Sequence, residues 1–409
     1  MDIIIRNARI RDADPLVDVA IGDGRIAAIG PNLPGRGVEE IEARGRVLVP
    51  GIVEAHLHLE KALIKDRKPN RSGTLAEAIK VTGELKPTFT SEDIHRRAVL
   101  ALHWLMQNGV THLRAHGEFD PRQGFAGLEV TLALKKEFKG RVDIQVCAFP
   151  QEGVIKAPGT EEMMHKAFEM GADVCGGIPY NDPDAKRHID LMFDIAKEHG
   201  KDLDFHQDFS DDADNMSIEY LAGKTIREGY RGRVCVGHLT ALGAVPPDER
   251  DRLIKLIAEA GISVICLPAT DMHLGGRKDA CNVRRALTPV RALRDGGVNV
   301  CLATNNIRNA FTPYNNGDLF SVAFLAVAAC HLGGADDLPT VLPMITANPA
   351  KAMGVQDYGL AVGKAADMVL LSGKRVEDAI IDLPAKPYVI KGGRVTVRTE
   401  CETVFLPPV

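Results

Sequence analysis

The sequence lacks the features that mark membrane proteins and nucleic-acid-binding proteins. No apolar run approaches the roughly 20 residues that a membrane-spanning helix needs. Basic residues are not clustered, and 50 Lys and Arg against 55 Asp and Glu give a net charge of −5. We therefore expect neither a membrane nor a nucleic acid as a partner.

Cysteine motifs and targeting signals are also missing. The eight cysteines form no CxxC motif, which is typical of reduced thiols in a core. The first six residues resemble a strand and lack the basic region and cleavage site of a signal peptide. We expect a cytoplasmic protein.

Helical and strand patterns alternate regularly from about residue 91 to residue 305. Together with an apolar strand before residue 56 they make eight β/α units over about 300 residues, which is typical of a (β/α)8 TIM barrel with insertions. A doubly wound sheet is the structural alternative, but no GxGxxG motif follows the first strand. Polar residues follow nearly every predicted strand, at the edge where barrel enzymes keep their sites. They are His56, His58, Arg114, His116, Gln151, His206, His238, Asp271 and Asn305.

The two ends of the chain differ from its middle. Residues 1–50 and residues 355–409 show β alternation with glycine-containing turns. We expect one small β-sandwich domain built from both segments, with the α/β barrel of residues 51–354 inserted between them.

The segment from Gly51 to Lys61 is the most informative stretch. In an extended strand the side chains of residues i and i+2 point to the same side, so His56 and His58 can reach one metal ion. An HxH triplet alone is weak evidence, because two surface histidines would give the same pattern.

Several motifs support the metal interpretation together and in order. They are Val49-Pro-Gly-Ile-Val-Glu-Ala-His-Leu-His58, Phe149-Pro-Gln-Glu-Gly153, Gly237-His-Leu-Thr-Ala241, His273-Leu-Gly-Gly-Arg277 and Asn348-Pro-Ala-Lys351. With this set the chain resembles the amidohydrolase superfamily over essentially its whole length. Within it, the chain is most similar to the cytosine deaminase branch, and in motif to members like N-isopropylammelide amidohydrolase.

The resemblance implies one divalent metal ion held by His56, His58 and His206, completed by Asn305 at the end of strand eight and a water. Such an ion lowers the pKa of its bound water to roughly 7, and the hydroxide attacks an sp² carbon that bears nitrogen. Three histidines and an oxygen accept Zn, Fe or Mn, so the metal stays open.

Proton transfer and oxyanion stabilisation need further groups. His238 is the candidate for the oxyanion. Cytosine deaminases carry a glutamate in an HxxE pattern after the strand-five histidine, but here that position is Phe209. The resemblance assigns the proton role to Lys61 instead, and a nearby divalent cation disfavours the charged form of an amine. A solvated lysine at the start of a loop is the alternative.

Asn305 departs from the superfamily, whose members carry an aspartate there that binds the metal and accepts a proton. An amide oxygen can still ligate a metal but is not a base near neutral pH. Three explanations stay open: an altered hydrolase in which Lys61, His238 or Asp208 accepts the proton, an inactive or metal-free binding relative, and an engineered substitution.

Gln151 is the main candidate for substrate binding, because its amide both donates and accepts, as does the N–H/C=O edge of a ring. Arg114, His116, Asp271 and Arg308 are weaker candidates near the predicted loops. We expect a metal-dependent hydrolase that acts on a non-peptide C–N bond of a small, polar, heterocyclic substrate and that forms a homo-oligomer. A cyclic-amide hydrolase is the second enzyme hypothesis, disfavoured because no lysine that could be carbamylated follows strand four.

Overall fold

A computed structural model describes residues 1–400, 403–404 and 406. Its centre is an eight-stranded parallel sheet whose strand order follows the chain. Five shorter strands precede it: β1 (Ile3–Ala8), β2 (Val17–Gly22), β3 (Arg25–Gly30), β4 (Glu39–Glu42) and β5 (Leu48–Pro50). The strands of the central sheet are β6 (Ile52–Leu57), β7 (Val110–Glu118), β8 (Asp143–Phe149), β9 (Val174–Gly177), β10 (Asp202–Gln207), β11 (Val234–His238), β12 (Ser263–Cys266) and β13 (Asn299–Leu302).

The central sheet closes on itself next to the two histidines of the HxH motif. The backbone N–H of Asn305 donates to the carbonyl of His56 at 2.9 Å, and the N–H of His58 donates to the carbonyl of Asn305 at 3.1 Å. These bonds join the segment after β13 to β6, as the parallel bridge between Leu57 and Asn305 also shows. The predicted (β/α)8 barrel is confirmed.

Helices cover the outside of the barrel. They are α1 (Leu75–Leu85), α2 (Ser91–Gln107), α3 (Ala126–Glu137), α4 (Thr160–Met170), α5 (Ala185–Glu198), α6 (Ile218–Arg227), α7 (Pro247–Glu259), α8 (Pro268–Leu274), α9 (Val290–Asp295), α10 (Leu319–Ala329) and α11 (Ala347–Ala352). Several begin at a side chain that accepts a backbone N–H, such as Thr74 before α1, Thr90 before α2 and Asp184 before α5. In the described part of the chain no helix has both the length and the apolar character needed to cross a membrane.

Two four-stranded sheets flank the barrel. One has the order β3-β2-β1-β4, and the other consists of β5 with β14 (Met368–Leu370), β15 (Tyr388–Lys391) and β16 (Arg394–Arg398). They share one apolar core in which Ile5 and Val19 of the first sheet pack with Met368 and Ile390 of the second. The predicted β-sandwich of both termini is confirmed as part of the fold. The domain boundaries at residues 50 and 355 stay a prediction, and residues 401–402, 405 and 407–409 of the second segment lie outside the described part.

One predicted strand end is wrong. The pattern indicated a short strand over residues 110–113, with Arg114 and His116 at its exit, but β7 continues to Glu118. His112, Arg114, His116 and Glu118 alternate along it and therefore share one face. Because this face lies inside a barrel whose interior is polar, polar residues there do not mark the end of the strand.

Candidate active site

Three histidine side chains converge at the carboxyl ends of β6 and β10. The Nε2 atom of His206 lies 3.1 Å from the Nε2 atoms of both His56 and His58. Burial lowers the pKa of all three imidazoles well below the usual value, so they are neutral. One nitrogen that faces two others can donate to only one of them, whereas a shared cation satisfies all three.

The spacing of these nitrogens fits a metal ion. Zinc–nitrogen bonds of about 2.0–2.1 Å in tetrahedral geometry place two ligand nitrogens about 3.3 Å apart. The buried Oδ1 of Asn305 has no hydrogen-bond partner among the described residues, which is expected of an unused ligand atom. Asn305 has a φ of 61°, a left-handed conformation that Asn and Asp tolerate better than other non-glycine residues.

His238 lies beside this cluster at the end of β11. Its Nδ1 is 2.6 Å from Oδ1 of Asp271, and its ring stacks on Phe209 with a centroid distance of 4.5 Å. The carboxylate fixes the orientation of the imidazole, so Nε2 is the nitrogen available for chemistry. The preceding Gly237 makes room for the cluster, because a Cβ there would lie 2.8 Å from the His56 ring.

Lys61 is buried in the opposite wall of the site. Its Nζ donates to Glu118 and, at 3.0 Å, to Oε1 of Gln151. This contact leaves the N–H groups of the Gln151 amide as the donors available to a substrate. A lysine on a solvated loop, the alternative interpretation of Lys61, is wrong because its side chain is only 3% exposed.

Glu118 links Lys61 to a metal-facing histidine and to a second lysine. Its carboxylate lies 3.3 Å from Nδ1 of His58 and 3.1 Å from Nζ of Lys86. Burial alone would raise the pKa of Glu118, but the ammonium groups of Lys61 and Lys86 hold it well below its usual range. By contrast, burial and the charge of Glu118 raise the pKa of the neighbouring Glu60 well above its usual value.

These side chains border a small cavity with about 30 Å³ of space open to water-sized spheres. Both polar and apolar residues line it, and Leu75 and Ile79 of α1 belong to the apolar part of the lining. The lining residues are His58, Lys61, Leu75, Ile79, Gln151, Ile178, Tyr180, His206, Phe209, His238, Thr270, Leu274, Asn305, Asn306 and Phe311.

Of the five residues predicted to bind substrate, only Gln151 lines this cavity. Arg114 lies deeper in the barrel, where its guanidinium pairs with Asp204 at 2.5 Å. His116 lies between Arg114 and the histidine cluster, with its ring centroid 4.1 Å from that of His56. The prediction that both reach the substrate loops is wrong because β7 extends past them.

The other two candidates also have structural partners. Asp271 is buried in α8 and is engaged by His238. Arg308 lies over the ring of Trp104, 4.7 Å from its centroid, and does not line the cavity. Neither side chain is placed to contact a ligand directly.

Sequence reasoning missed Glu118, Glu60, Lys86 and Asn306. Glu118 follows His116 at i+2 on the same strand face, so a correct β7 would have found it. Glu60 and Lys86 belong to other segments of the chain, and no local sequence pattern predicts that these segments contact β7. Asn306 directly follows Asn305, but no motif singled it out.

Buried histidines and a lysine around a cavity at the carboxyl end of a (β/α)8 barrel are typical of the metal-dependent hydrolases with this fold. The model of the amidohydrolase family matches residues 83–397, and the chain belongs to this family. It is an enzyme that hydrolyses C–N bonds other than peptide bonds.

Three relatives extend over nearly the whole chain. The N-isopropylammelide isopropyl amidohydrolase of Pseudomonas sp. (strain ADP) is 32% identical over 98% of both chains. The structure of a 5-methylcytosine deaminase from Klebsiella pneumoniae, liganded with phosphonocytosine, has a TM-score of 0.94 with 33% identity and covers 98% of this chain and 100% of its own. The structure of N-isopropylammelide isopropylaminohydrolase from Burkholderia multivorans ATCC 17616 has a TM-score of 0.86 with 28% identity, covering 97% and 99%.

Proposed function

We propose that this protein uses one divalent metal ion to hydrolyse an exocyclic C–N bond of a small polar heterocycle, releasing ammonia or an alkylamine. The observation that carries this proposal is the convergence of three neutral imidazole nitrogens beside the unpartnered Oδ1 of Asn305. His56, His58, His206 and Asn305 would hold the ion. When bound, it would supply an activated water at neutral pH.

The other cavity residues have roles that follow from their contacts. Gln151 is placed to donate to a ring carbonyl while Lys61 holds its oxygen. His238, oriented by Asp271, is placed to stabilise negative charge that develops on the attacked ring. Lys61 is the cavity-wall amine that can give a proton to the departing nitrogen.

The reaction balances in protons and bonds. A C–O bond forms between the ring carbon and water, the C–N bond breaks, and one water proton ends on the leaving amine. The relatives named for 5-methylcytosine and N-isopropylammelide support a reaction in which an amine or ammonia leaves a ring carbon. For this chain both ammonia and an alkylamine stay candidates.

Asn305 cannot accept the water proton, so another group must do so. Asp208 is a poor candidate because its carboxylate accepts the backbone N–H groups of Ser217 and Ile218 at the start of α6. Lys61 and His238 both line the cavity, which favours them over Asp208. The ammonium of Lys61 donates to Glu118 and Gln151, so Lys61 can accept the water proton only after it has given its own proton to the departing nitrogen.

The test is metal content and amine release on one preparation. We expect about one Zn, Fe or Mn per chain and release of ammonia or amine from at least one ring in a panel of amino- and alkylamino-pyrimidines, triazines and hydantoins. Ring opening of a hydantoin without amine release would favour the cyclic-amide alternative. A metal content that stays far below one after metal-supplemented growth would refute the proposal.

A catalytically impaired relative is the second candidate, and Asn305 is the observation that favours it. Asn305→Asp restores the carboxylate without changing the size of the side chain. Amine release that occurs only in this variant would show that the native site binds but does not turn over. The homo-oligomeric state stays a prediction that light scattering on the purified protein can check, and the cytoplasmic location stays a prediction.

A further inference from the structure

We infer that the substrate of this site is an anion: an acidic ring whose negative charge is shared between two carbonyl oxygens. The inference rests on the proposed function, because it requires the metal ion, and it adds the charge and the hydrogen-bonding edge of the ring. It starts from the charges of the cavity wall.

None of the fifteen described residues that line the cavity is acidic. Lys61 is the one Lys or Arg among these lining residues, and three imidazoles and one amide ligate a metal as neutral groups. A divalent ion on this set would keep its full charge of +2, whereas an aspartate at position 305 would reduce it to +1. An uncompensated cation in a water-poor cavity favours an anionic ligand.

Two carboxylates contact lining residues from outside the cavity wall, and both are already paired. Glu118 lies between Lys61 and Lys86, and Asp271 lies at Nδ1 of His238. Neither lines the cavity, so neither offers a partner to a cationic or amine-rich substrate edge.

The polar amides of the wall are held so that they donate. Oε1 of Gln151 accepts from Lys61, and Oδ1 of Asn306 accepts from Nδ2 of Asn309 at 2.6 Å. Each amide therefore has its N–H groups left for a ligand. Donors from two sides match a ring whose edges are carbonyl oxygens that share a negative charge.

Binding of two rings that lack an exocyclic amine tests the inference without turnover. Barbituric acid is ionised at neutral pH and uracil is not, and isothermal titration calorimetry gives the affinity of each for the zinc-loaded protein. We expect barbiturate to bind at least tenfold more tightly than uracil. Asn305→Asp and Asn306→Asp should each reduce that ratio by about tenfold or more, because each places a negative charge at the wall.

Asn32→Asp is the matched control, since it adds the same charge at an exposed turn of the N-terminal segment and should leave the ratio unchanged. Equal affinity for the two rings, or a ratio that neither cavity variant alters, overturns the inference. The two proposals fail separately. Barbiturate preference without amine release from any ring refutes hydrolysis alone, and amine release without anion preference refutes the anionic substrate alone. A protein that retains no zinc refutes both.

Discussion

The interior of the barrel is polar at two levels, and the levels differ in how their polar groups are satisfied. The lower layer lies two positions nearer the start of each strand. There, Arg114 and Asp204 form a buried ion pair, and Glu54 accepts the backbone N–H groups of His56 and Thr304. In the upper layer, His56, His58, His206 and Asn305 have converging or unpartnered atoms. Buried polar groups normally find partners, so the lower layer has the character of a support and the upper layer that of a binding site.

Buried polar residues two positions apart on one strand therefore have different roles. On β6, Glu54 precedes His56, and on β10, Asp204 precedes His206. Each lower residue is hydrogen-bonded, Glu54 to the backbone and Asp204 to the side chain of Arg114. These bonds hold the strand ends that carry the histidines. Variants that damage one layer and spare the other should separate stability from metal binding.

The largest effect is expected from breaking the ion pair of the lower layer. Asp204→Leu leaves the guanidinium of Arg114 buried without its carboxylate, and we expect the free energy of unfolding to fall by about 3–5 kcal/mol. Urea denaturation of the metal-free protein measures it. The double variant Arg114→Met with Asp204→Leu removes both charges and should recover most of the loss. Equal stability of the single variant and the native protein would contradict a supporting role.

Next in size is the loss of one upper-layer imidazole. His206→Asn should reduce bound metal to well below one per chain and amine release by more than about 100-fold, beyond the roughly 10–100-fold that loss of an indirect partner costs. Elemental analysis and an amine assay check the two effects. His103→Asn, on the exposed face of α2, should change neither. Similar metal contents for the two variants would remove His206 from the metal site.

A smaller effect is expected from Glu118, which connects the upper layer to Lys61. Glu118→Gln should lower kcat by about 10–100-fold with less change in KM, because the amide no longer holds the lysine and the His58 ring in place. Glu152→Gln is the control, since Glu152 contacts Lys86 but has a side chain that is 39% exposed. It should cost a few-fold at most. Equal losses in both variants would indicate a general effect of charge.

The barrel, the terminal β-sandwich and the histidines of the upper layer were predictable from sequence because each follows a local pattern. Strand and helix periods give the β/α order, and His56, His58, His206 and His238 stand at strand ends. The lower layer was not predictable in this way. Arg114 was assigned to the loops because a charged residue is unexpected inside a strand, and its partner Asp204 is 90 residues away. Helix α1, which contributes Leu75 and Ile79 to the cavity lining, was also missed because it lies within an insertion before the regular repeat.

The smallest effect is expected in the pH dependence of stability that Glu54 causes. Burial raises the pKa of Glu54 to about 7, against about 4.3 in an unfolded chain. Between these values the folded state binds a proton that the unfolded state has lost, so this group lowers stability as pH rises from about 4 to about 7. Glu54→Gln keeps an acceptor oxygen and has no such dependence. Relative to this variant, we expect the native metal-free protein to lose on the order of 1–2 kcal/mol between pH 5 and pH 8. Urea denaturation at both values measures the difference. A native protein whose stability relative to the variant is the same at pH 5 and pH 8 would mean that Glu54 is charged in the folded state. Glu54 would then belong with the ion pair of Arg114 and Asp204 as a second buried charge beneath the histidines.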